Sequence, residues 1–333
     1  IWEIWVIGLD WPGSGISNLW LTSRSKMYRD SPKDVQAQTL TIIPKVSRSL
    51  WSVMLPNLSA LSWLLLIRML PGQVVTLPFS TGRNFRYLAE VGLLDQQVGD
   101  AMQILKEKNL LQNTLVIFIS EQGTQFAGAK WTNWSAGVKS AMVASWPGVI
   151  KPGTETSAIV QYEDLLPTFI DVAGGKVPDV IDGKSLVDVF QGKTKTHHKY
   201  AYHVHNNVPE GPAYPIRSIS DGRYRLIWNL TPEETYVEKH IEKAEWYLSW
   251  KAQDTDQAHK IMNRYKNRPE FELYDIKKDP FEMNNLADVK KYSKKKAELT
   301  MELQKWMKQQ NDTGADKDRP RAPKNKQKKA ANV

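Results

Sequence analysis

The sequence predicts an α/β fold followed by a small antiparallel subdomain. Apolar residues recur every three or four positions from Leu88 to Leu105, which is the pattern of an amphipathic helix. The continuous apolar run TLVIFIS at 114–120 follows and is typical of a buried parallel strand. A second run, AMVASW at 141–146, and a helical segment at 164–173 continue the alternation. Such alternation predicts helices packed on a mostly parallel sheet.

The pattern changes after about residue 199, where the apolar segments become short and alternating. Two of them are joined by Asp221-Gly222, a pair that favours a hairpin turn. We therefore expect a small antiparallel sheet with one helix, its strands at 215–220, 223–229 and 271–275 and its helix at 290–307.

Four regions follow from these patterns. Residues 1–84 hold no helix or strand period beyond one or two turns, so we interpret them as a truncated or out-of-frame start. Residues 85–199 are the second half of an α/β core, and 200–310 are the antiparallel subdomain. Residues 311–333 are rich in Lys, Asp, Pro, Gln and Asn, which predicts a disordered basic tail.

Composition excludes several classes of protein. The chain of 333 residues has a net charge of +9, but five lysines at 290–296 and the tail from Asp316 supply the whole excess, so no nucleic-acid-binding face is expected. The absence of Cys excludes a disulfide framework, a Cys-based zinc site and a Cys nucleophile. The longest apolar run, at 58–70, is shorter than the ~20 residues of a membrane span. No signal peptide opens the chain, and because it does not begin with Met, whether a leader precedes it stays open.

Polar side chains follow the strongest predicted strand. Glu121 and Gln122 offer two hard oxygen ligands where that strand ends, which suits Ca²⁺ or Mg²⁺, although a polar loop before Gly123 is the plainer interpretation. Lys130 follows nine residues after Glu121. A lysine close to a divalent metal is expected only if an anion binds both. The alternative is that Lys130 is a surface lysine whose side chain covers Trp131.

Several stretches of sequence occur in one order along residues 85–288: LDQQVG at 94–99, NTLVIFISEQG at 113–123, KW at 130–131, WPGVIKPG at 146–153, DLLPT at 164–168, DGKSL at 182–186, ELYD at 272–275 and DPFE at 279–282. In that order they resemble the C-terminal half of a sulfatase of the alkaline-phosphatase superfamily. Among sulfatases, these stretches are most similar to those of enzymes that act on sulfated polysaccharides, including the sulfamidase-like branch. The resemblance implies an alkaline-phosphatase-like α/β fold, incomplete in this chain.

The resemblance also implies roles for individual residues. Glu121 matches a calcium ligand that is usually Asp, and Gln122 matches the adjacent Asn or His ligand, so both carry a longer side chain than the common pair. Lys130 matches the catalytic-site lysine that binds the substrate sulfate. The implied cofactor is Ca²⁺.

Three further residues lie where related sulfatases build substrate-binding edges. These are His203, His205 and Arg217. A sugar pocket needs donors for hydroxyl, carboxylate and sulfate groups, and the Arg guanidinium offers a bidentate fork. Two loop histidines and a structural arginine are the equally open alternative.

The family's nucleophile is a formylglycine made from Cys or Ser in a Cys/Ser-x-Pro/Ala-x-Arg motif, and no such motif occurs in this chain. The resemblance therefore implies a secreted or periplasmic sulfatase, a hydrolase of sulfate esters on a sulfated carbohydrate, of which this chain supplies no nucleophile. Two alternatives stay open: a non-catalytic remnant that binds sulfated glycans, and a phosphatase-like relative on the same fold.

Overall fold

The computed structural model describes residues 3–8, 82–125 and 128–318. The chain divides into two compact units. The first comprises Ile1–Glu121, Ser140–Thr156 and Tyr162–Lys195, and the second comprises Gln122–Lys139, Ser157–Gln161 and Thr196–Val333. The expectations for 9–81 and for the tail at 319–333 lie outside the described residues. Where the structure describes the rest of the start and of the tail, it differs from our expectation: Glu3–Gly8 form a strand in the start for which we expected no regular element, and Ala315–Asp318 form a helix in the tail that we expected to be disordered.

The first unit contains a three-stranded sheet in the order β1 (Glu3–Gly8), β2 (Thr114–Ile119), β3 (Met142–Ser145). Both pairs are antiparallel, so the parallel pairing that we predicted for this layer is corrected for these strands. A parallel pair needs a long crossover, usually a helix that packs on the sheet. Here the described residues of the link between β2 and β3 hold only the four-residue helix α2 (Ser135–Val138), and β3 returns beside β2. The backbone N–H groups of Ser120 and Ala141 begin this return, donating to Ala141 O at 2.9 Å and to Ser120 Oγ at 2.7 Å.

Two helices lie in the sequence where we predicted them, α1 (Gly82–Glu107) and α3 (Leu165–Val172). The four-residue helix α4 (Val187–Phe190) was not predicted. Strand β2 is buried along its whole length, as its continuous apolar sequence predicts. Its inward residues pack with Trp146, Phe169 and Phe190 to form the core of the first unit.

The second unit contains an antiparallel sheet of four strands in chain order: β4 (Ala201–His205), β5 (Ile216–Ser220), β6 (Tyr224–Asn229) and β7 (Phe271–Asp275). The predicted hairpin turn between β5 and β6 is confirmed. The Asp221 carboxylate accepts the N–H groups of Arg223 and Tyr224 at 2.9 and 2.7 Å, and Gly222 takes a φ of +84°.

Both faces of the four-stranded sheet are covered by apolar and aromatic residues. On one face, Leu299 and Leu303 of α8 (Ser293–Gln309) pack against Leu226 and Leu273. On the other face, Trp134 packs with aromatic residues from the segment between β6 and β7. That segment forms α5 (Lys239–Glu242), α6 (Glu245–Lys251) and α7 (Asp256–Lys266), and α9 (Ala315–Asp318) follows α8, so the expectation of one helix is wrong.

In the part of the chain that the structure describes, no helix has both the length and the apolar character needed to cross a membrane.

Two of the family-like motifs bind each other inside the first unit. The Asp164 carboxylate accepts the Lys184 N–H at 2.9 Å, and the Thr168 hydroxyl accepts the Leu186 N–H at 2.8 Å. Asp164 and Thr168 are fully buried. Gly183 lies beside this contact, and a Cβ there would stand 2.0 Å from the Glu163 carbonyl oxygen. The sequences DLLPT and DGKSL therefore hold the first unit together through buried side-chain-to-backbone hydrogen bonds.

We predict that Gly183→Ala lowers the free energy of unfolding by about 2 kcal/mol or more, because the added methyl collides with backbone that cannot move without breaking these hydrogen bonds. Urea denaturation measures the change. Gly99→Ala in α1 is the matched control, since its Cβ would meet no atom within 4 Å. The control should be neutral or stabilising by up to about 1 kcal/mol. Equal stability of the two variants would contradict this account.

Candidate functional site

The two proposed metal ligands follow directly after β2. Glu121 stands two residues beyond the end of that strand, Gln122 is the next residue, and both are half-buried. Together they offer one carboxylate and one amide oxygen. This donor chemistry fits Ca²⁺, which takes six to eight oxygen ligands, and would supply two of them.

The loop after Gln122 folds back within the second unit. The Lys130 N–H donates to Thr124 O at 3.0 Å. Gly123 has a φ of +59°, and a Cβ on it would lie 2.7 Å from the Lys130 backbone nitrogen and 3.0 Å from Ala136 O. Only glycine permits this close approach. The backbone of Lys130 therefore lies against Gly123, the residue that follows Gln122. The loop between the two motifs is long enough for this return.

An aromatic pair lies beside Lys130. The Lys130 ammonium is 5.9 Å from the centroid of the Trp131 ring, a distance consistent with a cation–π contact. The Trp131 indole also stacks on His240, whose imidazole centroid lies 5.6 Å away with the two planes 7° apart. His240 Nδ1 is 2.8 Å from the Glu238 carboxylate, which is fully buried and also accepts the first N–H groups of α5. Sequence reasoning missed His240, because nothing near it in the chain marks a contact with Trp131.

The segment after Trp131 is fixed to the four-stranded sheet by polar side chains. The Asn133 amide donates to Ser218 Oγ at 3.0 Å, and the Trp134 indole N–H donates to the Glu272 carboxylate at 2.9 Å. The Ser135 N–H donates to the Glu282 carboxylate at 2.5 Å. Each partner on the sheet side is buried. Lys130 therefore belongs to a segment whose next five residues are held rigidly.

The Glu282 carboxylate carries the strongest of these contacts. It lies 3.1 Å from the Arg225 guanidinium, and the two side chains are only 2% and 3% exposed. Burial raises the pKa of Glu282 above its usual value, and the charge of Arg225 opposes that rise. Arg264 donates to the Glu282 backbone oxygen at 2.6 Å and places its guanidinium 4.0 Å from the centre of the Trp134 ring. Arg264 thus links the Glu282 backbone to the indole that anchors the segment.

Arg217 does not offer its guanidinium at the surface. Its side chain is 1% exposed and binds Asp312 through Nε at 2.5 Å and Nη2 at 3.1 Å. This geometry favours the structural alternative for Arg217 over the substrate-binding role that we expected from the sequence.

The two histidines lie on β4. His203 Nδ1 is 3.5 Å from both Ser218 Oγ and an Arg225 nitrogen, and its backbone oxygen accepts the Asn133 amide. Burial lowers the pKa of His203 well below 6.5, and the positive charge of Arg225 lowers it further. His205 pairs with Ile216 across the β4–β5 ladder. Substrate binding by His203 and His205 stays a prediction.

Two family models match the chain over adjoining segments. The model described as Sulfatase matches residues 83–175, and the model described as N-sulphoglucosamine sulphohydrolase, C-terminal, matches residues 130–242. Fold and sequence together define the class: residues 83–242 are similar to the C-terminal half of the sulfatases, as the sequence motifs predict. Within that class the similarity extends to the sulphohydrolase branch that acts on N-sulphoglucosamine.

Relatives of known function are sulfatases as well. An ulvan-active sulfatase of Formosa agariphila is 36% identical over 210 residues, which are 62% of this chain and 40% of that protein. An N-acetylglucosamine-6-O-sulfatase of Bacteroides thetaiotaomicron is 29% identical over 69% of this chain and 36% of its own length. The human N-sulphoglucosamine sulphohydrolase is 28% identical over 65% of this chain and 46% of its own length. The chain thus spans less than half the length of the curated relatives it matches.

Solved structures confirm the alkaline-phosphatase-like sulfatase fold. A structure determined with its substrate, D-glucosamine-2-N,6-O-disulfate, is 27% identical, with a TM-score of 0.51 over 69% of this chain and 41% of the other. A 2-O GAG sulfatase, 22% identical, has a TM-score of 0.51 over 66% of this chain and 41% of its own, and supports the fold.

We predict that Glu282→Gln lowers the free energy of unfolding by about 3 kcal/mol or more, because it leaves the buried Arg225 charge without its partner. Urea denaturation measures the loss. Asp188→Asn, which removes an exposed pair with Lys193, is the control and should change the same quantity by about 0.5 kcal/mol or less. The double variant Arg225→Met with Glu282→Leu should recover much of the loss, since it buries no unpaired charge. A Glu282→Gln variant as stable as its control would contradict the assignment.

We also predict a pH dependence of stability that comes from His203. Its pKa is lower in the folded protein than the ordinary 6.5, so the folded state binds fewer protons than the unfolded chain below that pH. Stability is complete above about pH 6.5 and is lost as the pH falls, by at most about 1.4 kcal/mol per unit. His203→Asn should flatten this part of the profile, measured by denaturation at several pH values. The exposed His259→Asn is the control and should keep the wild-type slope; a His203→Asn profile parallel to the wild type would refute the prediction.

Proposed function

We propose that the protein to which this chain belongs hydrolyses sulfate esters on a sulfated carbohydrate, and that Lys130 anchors the sulfate. The observation that carries the proposal is the return of Lys130 to Gly123, beside Gln122. It brings the backbone of the proposed anchor close to Gln122, one of the proposed oxygen ligands, within the second unit. The sulfatase matches over residues 83–242 favour sulfate over phosphate as the anion.

In this proposal the chain's own residues bind and orient the sulfate. The Lys130 ammonium neutralises the negative charge on the sulfate oxygens, and the anchoring of 133–135 on the sheet keeps the lysine backbone fixed while the bond breaks. Glu121 and Gln122 would hold a calcium ion, which when bound supplies further positive charge to the same oxygens. The attacking group is not among these residues, because the chain contains no formylglycine motif.

The printed names of the relatives support a carbohydrate substrate. They include enzymes named for ulvan, N-acetylglucosamine 6-sulfate and N-sulphoglucosamine, and one structural neighbour holds a disulfated glucosamine. We infer that the substrate here is a sulfated polysaccharide or a sugar released from one. Because such polymers lie outside the cytoplasm, we place the protein in the periplasm or among secreted proteins.

Ligand binding by residues 1–333 tests the anchor. We predict that a monosulfated glucosamine binds in the presence of CaCl₂, and that Lys130→Ala weakens this binding at least about tenfold, since a hydrogen bond to a charged group contributes about 1.5–3 kcal/mol. Lys151→Ala, an exposed lysine of the first unit, is the control and should bind like the wild type. Calcium alone should bind weakly, with a Kd of ~10⁻⁴ to 10⁻³ M, and Glu121→Gln should weaken it further. Isothermal titration measures both ligands.

Equal binding of the sulfated sugar by the wild type and Lys130→Ala would overturn the assignment of the anchor. In the same preparations an aryl sulfate should show no turnover, because this chain supplies no nucleophile. Turnover that persists after re-purification and disappears in Lys130→Ala would show that the chain holds a complete catalytic site.

A further inference from the structure

Five lysines gather where α8 begins. Lys290 and Lys291 lie in the 3₁₀ turn Lys290–Tyr292, and Lys294, Lys295 and Lys296 lie in the first turn of α8. We call these five residues the lysine cluster. The catalytic proposal makes no use of them.

The cluster is only partly neutralised by acidic residues. Lys295 lies 3.3 Å from Asp221 and 2.7 Å from Glu298, and Lys296 lies 3.8 Å from Asp288. Among the described residues, no carboxylate lies within ion-pair distance of the remaining three lysines. All three are exposed: Lys290, Lys291 and Lys294.

The position of these charges opposes helix stability. The N-terminal end of a helix has a positive electrostatic potential and favours Asp and Glu, whereas α8 has no acidic residue in its first turn. Lysines there repel both the helix end and one another. A sequence that gives up helix stability in this way without a compensating contact is typical of a functional site.

The distribution of positive charge along the chain indicates the kind of ligand. Short runs rich in lysine are typical of sites for nucleic acids or sulfated glycans. The rest of the chain, apart from the tail, carries no excess of positive charge. A duplex needs phosphate contacts across a wide basic face, whereas one narrow cluster suits a single flexible polyanion.

The cluster is separate from the anchor of the sulfate. Helix α8 packs on one face of the four-stranded sheet, while Trp134, four residues after Lys130, packs on the opposite face. A small sulfated sugar held at Lys130 therefore does not occupy the cluster as well.

We propose that the lysine cluster binds a sulfated polysaccharide chain at a surface distinct from the Lys130 site, and so retains a polymeric substrate between catalytic events. This inference rests on the proposed function for the identity of the polymer. The retention is electrostatic, since the contacts join ammonium groups to sulfate groups and release counterions from the polymer. Affinity therefore falls steeply with salt.

Binding of fluorescent dextran sulfate by residues 1–333, at several NaCl concentrations, tests the inference. The triple variant Lys290→Gln, Lys291→Gln, Lys294→Gln should bind at least about tenfold more weakly at the lowest salt. Its slope of log K against log[NaCl] should be smaller by about 2, at ~0.7 per charge removed. The matched control is Lys243→Gln, Lys251→Gln, Lys260→Gln, which removes the same charge from exposed lysines of the α5–α7 segment. It should stay within about twofold of the wild type.

Three results would overturn the inference: equal loss in both triple variants, no loss in either, or binding of duplex DNA as tight as that of dextran sulfate at equal charge concentration. Uncharged dextran should not bind. Lys130→Ala separates this inference from the proposed function. It should keep its affinity for dextran sulfate while losing the monosulfated sugar, and the cluster variant should show the reverse. Matching thermal unfolding curves confirm that the variants are folded.

Discussion

The buried carboxylate of Glu282 is the contact on which the second unit depends. It takes the Ser135 N–H on one side and the Arg225 guanidinium on the other, inside the protein and away from water. Two desolvated charges are costly unless each keeps a partner, so the pair tolerates little displacement. Because Ser135 ends the segment that begins at Lys130, this ion pair helps to fix the backbone that carries the proposed sulfate anchor.

Most of the sequence that resembles the sulfatases builds the frame around the site. Glu272 accepts hydrogen bonds from Trp134, Asn229 and Tyr274, and Asp275 binds Arg223. Asp164 and Thr168 likewise hold backbone amides of the first unit. Glu272 and Asp275 thus act as acceptors for particular internal donors. The residues to which we assign metal and sulfate binding lie in the short stretch from Glu121 to Lys130.

Periodic apolar patterns predicted the elements that they determine: α1, β2, β3, β5 and β6 all lie where the sequence places them. Strand β4 was missed because its sequence, AYHVH, is only five residues long and its two histidines suggested a loop. The helices α5 and α6 were missed because they span only four and seven residues, whereas α7 has apolar residues at 258, 261, 262 and 265, a helical spacing that our prediction overlooked. The candidate site, too, could be predicted from the sequence only in part. Adjacency predicted the grouping of Glu121 and Gln122, whereas the stacking of His240 on Trp131 and the burial of Arg217 against Asp312 depend on tertiary contacts that no local pattern records.

The second unit is assembled from three separate stretches of chain, and its core requires the first of them. Trp134 enters from a loop that precedes most of the first unit's helices in the sequence, and it packs mainly among residues that come about 80 or more positions later. A recombination event between those stretches would divide one hydrophobic core between two genes. The antiparallel subdomain is therefore not a module that evolution can exchange freely, and its inheritance is tied to that of the α/β core.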